Sequence, residues 1–284
     1  MVLLLNNPPA SINKTRSNYD VLSWSTLDNA TITRWLTSVW DIQRSKEEKK
    51  LGIQRVMPME LINRLIMMYS KVGDVVVDPF MGSGSTLASA YVLIRKGVGF
   101  EIYDDLVNVA VKRLKELEEE SRGYVPLTLP DRLALEMDSV RREVDHEPII
   151  IKDDARNVDK YLERESVDIV LTAPPLFNPA PGSLRGLDPR DLALITNHES
   201  YMGELGKIIA KLWTILRRGG FMIMTVEDMR AGPIIYPLHV DLITMMKGMN
   251  FSLRDIIIWD KRKEYDPKSI TGIVHEYIII MEKS

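Results

Sequence analysis

The sequence contains 284 residues, of which 45% are hydrophobic, so the chain can bury a substantial core as one large domain. Its formal net charge of −3 excludes a polycation, and binding to a nucleic acid would therefore need a local basic face. The absence of cysteine excludes disulfides, thiolate metal ligands and a cysteine nucleophile. The apolar start, Met1 to Leu5, is too short for a membrane span or a signal, which predicts a soluble cytoplasmic protein with no membrane contact.

Strand-like and helix-like segments alternate along the chain, which is typical of a mostly parallel sheet flanked by helices. The seven predicted strands are Asp74–Asp78, Gly97–Glu101, Pro148–Lys152, Val167–Thr172, Gly220–Val226, Arg254–Asp260 and His275–Met281. The predicted helices are Glu60–Ser70, Leu87–Arg95, Asp104–Glu119, Tyr201–Leu216 and Leu238–Gly248. Two stretches break the alternation. Residues 121–147 are charged and predict an insertion, and residues 176–200 are rich in proline, glycine and asparagine and predict a long functional loop.

A glycine loop, residues 78–86, follows the first predicted strand and precedes a helix. Gly82 and Gly84 have no Cβ, so the loop backbone can approach a ligand closely. A dinucleotide fingerprint would need a third glycine where Leu87 stands, and a P-loop would need a lysine after Gly84. An acid at the strand end without these features favours a cationic, hydroxyl-bearing ligand, and S-adenosylmethionine has an ammonium, a sulfonium and a ribose.

The loop reads DPFMGSGST and closely resembles the D-P-F-x-G-S-G-T-T motif of the amino-methylating DNA methyltransferases, which act on N4 of cytosine or N6 of adenine. Only Ser85 departs from the motif. The resemblance implies a Rossmann-like methyltransferase fold with a seven-stranded, mostly parallel sheet, and S-adenosylmethionine as the cofactor. The loop residues that it assigns to cofactor binding are Asp78, Pro79, Phe80, Gly82, Ser83, Gly84 and Thr86.

Three further positions are candidates for the cofactor pocket. Glu101 ends the second predicted strand, where an acid can accept hydrogen bonds from a ribose diol; the alternative is a surface glutamate that caps the strand. Asp154 and Ala155 resemble the D-A-R segment that lies beside the adenine ring in related methyltransferases. Trp40 lies in a V-W-x-I element resembling one that encloses the methionine end of the cofactor, but an ordinary core tryptophan is equally compatible with the sequence.

The segment from Thr172 to Phe177, TAPPLF, follows the fourth predicted strand and resembles the family's catalytic motif, S/D/N-P-P-Y/F/W. In that motif a side-chain acceptor and a proline carbonyl bind the target amine, and the aromatic ring stacks on a flipped base. Here Ala173 replaces the acceptor and Leu176 the aromatic residue. We therefore expect the main-chain carbonyls of Ala173 and Pro174 to attract the amine, and Phe177 to stack on the base. The predicted catalytic set is Thr172, Ala173, Pro174, Pro175 and Phe177.

The resemblance extends from Ser38 to the C-terminus, so residues 1–37 are predicted to be an extension and residues 38–284 the methyltransferase domain. The glycine loop precedes the Pro-Pro motif, whereas the commonest class of these enzymes has the opposite order, so the chain resembles a circular permutation. No large target-recognition domain is expected after the last strand. Within the predicted loop, Arg185 and Arg190 are candidates for phosphate contacts.

Three functions remain open. The first is methylation of an exocyclic amine in DNA, with N4 of cytosine favoured; the second is the same chemistry on structured ribosomal or transfer RNA, read by shape. The third is a cofactor-binding subunit whose catalytic motif has degenerated, as Ala173 and Leu176 suggest. Four histidines offer no convincing metal cluster, so we expect direct transfer without a metal. A homodimer is compatible with the sequence, which does not decide the oligomeric state.

Overall fold

The computed structural model describes residues 3–5, 29–50, 56–120, 140–179, 187–264 and 273–284. The strands in these ranges are β1 (Leu3–Leu5), β2 (Val39–Trp40), β3 (Val75–Asp78), β4 (Lys96–Phe100), β5 (Ile149–Ile151), β6 (Val167–Thr172), β7 (Leu216–Val226), β8 (Met229–Ala231), β9 (Ile234–Tyr236), β10 (Phe251–Asp260) and β11 (His275–Lys283). The helices are α1 (Asn29–Trp35), α2 (Lys46–Lys50), α3 (Met59–Tyr69), α4 (Ser85–Val92), α5 (Asp104–Glu120), α6 (His198–Ile215) and α7 (Leu238–Gly248). Short 3-10 helices cover Ala155–Lys160, Leu192–Leu194 and Arg262–Glu264.

Nine strands form one sheet in the order β1-β5-β4-β3-β6-β7-β11-β10-β2. All neighbouring pairs are parallel except those made by β11, which runs antiparallel to β7 and β10. The predicted α/β class with a mostly parallel sheet is confirmed, and every predicted strand is present. The strands β1 and β2, which were not predicted, extend the sheet from seven strands to nine.

The order of the strands reverses at β3, which pairs with β4 on one side and with β6 on the other. Ligands of open α/β sheets bind beyond the carboxyl ends of the strands at such a switch point. The loops that follow β3 and β6, which carry the glycine loop and the Pro-Pro motif, therefore face the same crevice.

Helices cover both faces of the sheet. Because successive residues of a strand point to opposite faces, Val75 and Val77 pack into one core cluster while Val76 packs into the other. Helix α6 packs on the first face and helix α3 on the second. Each helix packs its apolar side chains against the sheet, and this packing holds in place the strands that carry the candidate site.

Several element boundaries differ from the prediction. Helix α4 ends at Val92 rather than at residue 95, because Ile94 has a left-handed backbone with a φ of 60°. Helix α6 begins at His198, inside the predicted loop, because the side chain of Asn197 caps it by accepting from the Ser200 amide. The hairpin of β8 and β9 was not predicted.

The predicted insertion and the predicted extension are described only in part. In the predicted insertion, residues 121–139 lie outside the described residues and residues 140–143 are helical. The predicted extension, residues 1–37, contributes edge strand β1 and helix α1. No helix in the described ranges is long and apolar enough to cross a membrane.

Candidate active site

Asp78 organises the glycine loop. Its carboxylate accepts hydrogen bonds from the Phe80 amide at 3.0 Å and from the hydroxyls of Thr86 and Thr172, each at 2.6 Å. These bonds connect the start of the loop with helix α4 and with the end of strand β6. Burial raises the pKa of Asp78, and the three donated hydrogen bonds oppose that shift. Asp78 therefore fixes the position of the loop relative to the Pro-Pro motif.

The left-handed backbone of the loop explains its glycines. Gly82 and Gly84 have φ values of 52° and 77°, and Gly84 is the residue before helix α4. A Cβ on Gly84 would lie 3.0 Å from the Cβ of Ala110, so a side chain here would combine backbone strain with crowding. The tight turn in the loop thus depends on glycine at both positions.

Glu101 follows strand β4 and is 8% exposed. One carboxylate oxygen accepts from the amides of Ile102 and Tyr103 at 2.8 and 3.0 Å, and the other accepts from the Gly82 amide at 3.0 Å. Burial is the main cause that raises the pKa of Glu101. Since a carboxylate has about four acceptor positions, one position remains for a further donor. The side chain is a buried acceptor rather than a surface cap.

Asp154 follows strand β5 and caps the 3-10 helix that comes next. Its carboxylate accepts from the main-chain amide of Arg156 and from the Arg156 guanidinium, both at 2.8 Å. The same guanidinium also donates to the main-chain carbonyl of Arg190 at 3.0 Å. Arg156, which is not among the predicted site residues, therefore connects the end of strand β5 to the segment after the Pro-Pro motif.

The Pro-Pro motif is held from both ends. Thr172, predicted as catalytic, is 1% exposed and donates to Asp78, so it is a positioning residue. The hydroxyl of Tyr201, on helix α6, donates to the main-chain carbonyl of Pro175 at 2.7 Å. Ala173 and Pro174 between them remain partly exposed. Their carbonyls therefore lie on a rigid turn that is fixed to both β3 and α6.

The structure corrects the expected orientation of Phe177. Its side chain is fully buried, and its ring centroid lies 5.2–5.4 Å from those of Tyr236, Tyr201 and His198. The prediction that this ring stacks on a base is not met, because the protein covers the whole ring. The burial has a simple cause, since the chain turns back towards the core after Pro175 and the partly exposed Leu176 takes the outward place.

Trp40 also departs from its expected role as a pocket wall. It is 2% exposed, donates from its indole nitrogen to the carbonyl of Trp35 and packs in the core cluster around helix α3. The guanidinium of Arg64 lies 5.5 Å from its ring centroid. Of the two alternatives left open by the sequence, the structure favours the core tryptophan.

Three adjoining cavities share Ala173 in their lining. The acid cavity, of about 230 Å³, contains Pro79, Phe80, Glu101, Tyr103, Asp154, Ala155, Arg156 and Arg190 among its lining residues. The loop cavity, of about 160 Å³, is lined by residues that include Met57, Asp78, Phe80, Gly82, Ser83 and Thr86. The turn cavity, of about 170 Å³, is lined by residues that include Pro174, Pro175, Tyr201, Thr225, Glu227, Trp259 and Glu276. The predicted loop, acid and Pro-Pro residues therefore lie around three cavities that meet at Ala173.

The turn cavity contains residues of two predicted strands to which the sequence assigned no part of the site. Trp259 and Glu276 are cross-strand partners on β10 and β11, and both are buried. The carboxylate of Glu276 accepts from the ammonium of Lys261, which lies 5.0 Å from the Trp259 ring centroid. The available signal was an acid near the start of a strand, directly before the apolar run of residues 277–281.

Of the two arginines predicted to contact phosphates, the structure describes only Arg190. Arg185 lies outside the described residues. Arg190 is about half exposed and forms a forked ion pair with Asp188, from Nε at 2.9 Å and from a terminal nitrogen at 2.7 Å. It lines the acid cavity, beside the segment that leads back from the Pro-Pro motif. In the described ranges, no group of three or more histidine, aspartate or glutamate side chains is arranged to hold a metal ion.

The strand order, the glycine loop and the acids after β4 and β5 define a Rossmann-like fold of the methyltransferase class. Residues 6–112 match the N6/N4 methyltransferase family model, which is described as DNA methylase. Through this segment, which includes the glycine loop and Glu101, the chain is similar to the amino-methyltransferase family, in agreement with the resemblance of the loop motif. The permuted order of its motifs stays a prediction.

Curated relatives match over part of the chain. The type II methyltransferase M.MjaI of Methanocaldococcus jannaschii is 37% identical over 92 residues, which are 32% of this chain and 28% of that protein. The type II methyltransferase M.HinfI of Haemophilus influenzae is 31% identical over 123 residues, 41% of this chain and 34% of that protein. The chain thus spans about a third of the length of these relatives.

Among solved structures, a protein of Thermus thermophilus, provisionally described as a DNA modification methylase, was determined in complex with S-adenosyl-L-methionine. It is 28% identical, with a TM-score of 0.35, and the match covers 46% of this chain and 51% of that chain.

Proposed function

We propose that this protein transfers a methyl group from S-adenosylmethionine to the exocyclic amine of a base in DNA, with N4 of cytosine as the favoured target. The proposed domain is residues 38–284, acting in the cytoplasm. The observation that carries the proposal is the meeting of three cavities at Ala173. Two of them match the two ends of the cofactor, and the third leads away from their junction along the Pro-Pro motif.

The acid and loop cavities suit the chemistry of S-adenosylmethionine. Glu101 has an acceptor position left for a ribose hydroxyl, and Asp154 can accept from the adenine amine. Asp78 places negative charge at the cavity that would take the ammonium end, beside the unhindered backbone of Gly82. Bound there, the cofactor supplies a methyl group on a positively charged sulfur.

The turn cavity would receive the target base. The main-chain carbonyls of Ala173 and Pro174 would accept hydrogen bonds from the amine, whose nitrogen is a poor nucleophile while its lone pair is delocalised into the ring. The prolines and the bonds to Asp78 and Tyr201 keep these carbonyls in place, so catalysis would depend mainly on positioning. A base must leave the helical stack to enter such a cavity.

Mass spectrometry of nucleosides tests the proposal. DNA and RNA from a deletion strain and its parent should be digested separately, and only the parental DNA should contain the missing N4-methylcytosine. N6-methyladenine in its place would overturn the cytosine assignment, and a loss confined to RNA would favour structured RNA as the substrate. If purified protein methylates no DNA or RNA but Ala173→Ser does, the native chain is the degenerate binding subunit.

Arg185 and Arg190 are proposed to contact the phosphate backbone from the loop of residues 176–200. Reversing both charges, with Arg185→Glu and Arg190→Glu, should weaken binding to unmethylated duplex DNA and flatten its dependence on salt, because fewer counterions are released. Fluorescence anisotropy at several salt concentrations measures both effects. Reversal of Lys112 and Lys115 on α5 is the matched control. An equal effect of both pairs would place the nucleic-acid face elsewhere.

A further inference from the structure

The catalytic turn lacks a side-chain acceptor, because Ala173 has only a methyl group. The cavity beside it is lined by other polar side chains, one of which could supply the missing hydrogen-bond acceptor. The hydroxyl of Thr225 already donates a hydrogen bond to the Met57 sulfur, at 3.3 Å. Glu276 differs, because it is a carboxylate in the wall of the same cavity as Ala173 and Pro174.

The sheet register places Glu276 at the correct edge. Thr172 is level with Met224 on the neighbouring strand, and Thr225 is level with Ile278 on β11. Glu276 precedes Ile278 by two residues, so it lies on the same face of the sheet and one row nearer to the site edge. The antiparallel direction of β11 is what brings the start of this strand to the carboxyl ends of the parallel strands.

The bonding of Glu276 leaves it one usable oxygen. Oε1 accepts from Lys261, and in the described part of the chain Oε2 has no hydrogen-bond partner. Both members of this ion pair are buried, Lys261 being 7% exposed and Glu276 8%. Such a buried pair adds little net stability compared with apolar residues of similar size, so its place in the cavity wall is not explained by folding alone.

We propose that Glu276 is the missing acceptor: its carboxylate binds the N–H of the target amine in the turn cavity, in place of the side chain that Ala173 lacks. This inference rests on the proposed function. Lys261 orients the carboxylate through Oε1 and leaves Oε2 directed to the base. The amine would then be held by the main-chain carbonyls on one side and by Glu276 on the other.

The first test needs no cofactor. Deoxycytidine and deoxyuridine differ at C4, where one has an amine and the other a carbonyl; deoxyadenosine and deoxyinosine differ in the same way at C6. Binding of each nucleoside can be measured by NMR titration, with the indole signal of Trp259 as the probe. For the pair that fits the cavity, the wild type should bind the amine-bearing nucleoside about tenfold more tightly than its carbonyl counterpart. Glu276→Gln should lose this preference, because Lys261 will hold the amide oxygen and turn the NH₂ group towards the base.

The second test measures methyl transfer to unmethylated plasmid DNA with tritium-labelled S-adenosylmethionine. Glu276→Gln should lower the rate about 10- to 150-fold, the usual effect of a lost hydrogen bond to a charged group, and Ala173→Ser in the same chain should restore part of it. Glu282→Gln, on the same strand but paired with Arg254 away from the cavity, is the control.

The outcomes separate the two proposals. A wild type that transfers no methyl group to any DNA or RNA overturns the proposed function. If the wild type is active and Glu276→Gln is equally active, or equally selective for amines, the proposed role of Glu276 is wrong. Loss of activity in Glu227→Gln instead assigns the acceptor to that neighbour and also overturns the inference. Because each preference is a ratio within one variant, a general loss of stability does not imitate it.

Discussion

Phe177→Ala is expected to lower the free energy of unfolding by about 3–5 kcal/mol, the usual cost of removing a fully buried aromatic ring. The ring is in contact with Tyr201, Tyr236 and His198, so its removal leaves a cavity between helix α6 and the hairpin of β8 and β9. The same change should reduce methyl transfer, because Tyr201 also holds the Pro175 carbonyl.

Urea unfolding followed by circular dichroism measures this effect. Leu176→Ala is the matched control, since Leu176 is adjacent but partly exposed, and it should cost clearly less. If Phe177→Ala is as stable as the wild type but inactive, the ring leaves the core to stack on a base, and its buried position is not the functional one.

Glu101→Ala should weaken the binding of S-adenosylmethionine by about 1–3 kcal/mol, or roughly 5- to 150-fold, because buried donors lose their acceptor. The amides of Gly82, Ile102 and Tyr103 would lose their partner together with the ribose. Isothermal titration calorimetry gives the affinity directly. An unchanged dissociation constant would remove Glu101 from the cofactor site.

The raised pKa of Glu101 adds a dependence on pH. Below that pKa the carboxyl is protonated and one of its acceptor oxygens becomes a donor, so the affinity of the wild type should fall as the pH is lowered through this range. Glu101→Gln has no titrating group at this position and should show a flatter profile. Burial also raises the pKa of Asp78, which could therefore contribute to the pH dependence. The difference between the two profiles gives the contribution of Glu101 alone.

The sequence allowed prediction of those parts of the fold that depend on local patterns. The β-branched run before Asp78 and the apolar run before Asp153 are fully buried strands, as expected of a parallel sheet covered on both faces. The glycine loop was predictable because its left-handed residues admit glycine and little else. The edge strands were not, since two or three residues carry no periodic signal and owe their state to partners over a hundred residues away.

The candidate site shows the same division. The acids at the strand ends were identified because their position in the chain fixes their position in the crevice. The orientation of Phe177 was not predictable, since the residue after Pro-Pro can face either the cavity or the core, and tertiary packing decides. Glu276 was not identified, because a sequence does not show that an antiparallel strand begins at the site edge.

Strands β1 and β2 have an architectural role that concerns neighbouring molecules rather than the cavities. Strand β1 pairs with β5 at one border of the sheet, and β2 pairs with β10 at the opposite border. An uncovered border would offer a row of free amide and carbonyl groups to any other extended chain. The two short strands thus cover part of each border. Without them, β5 and β10 would offer two templates for intermolecular pairing, while the central strands would be unchanged.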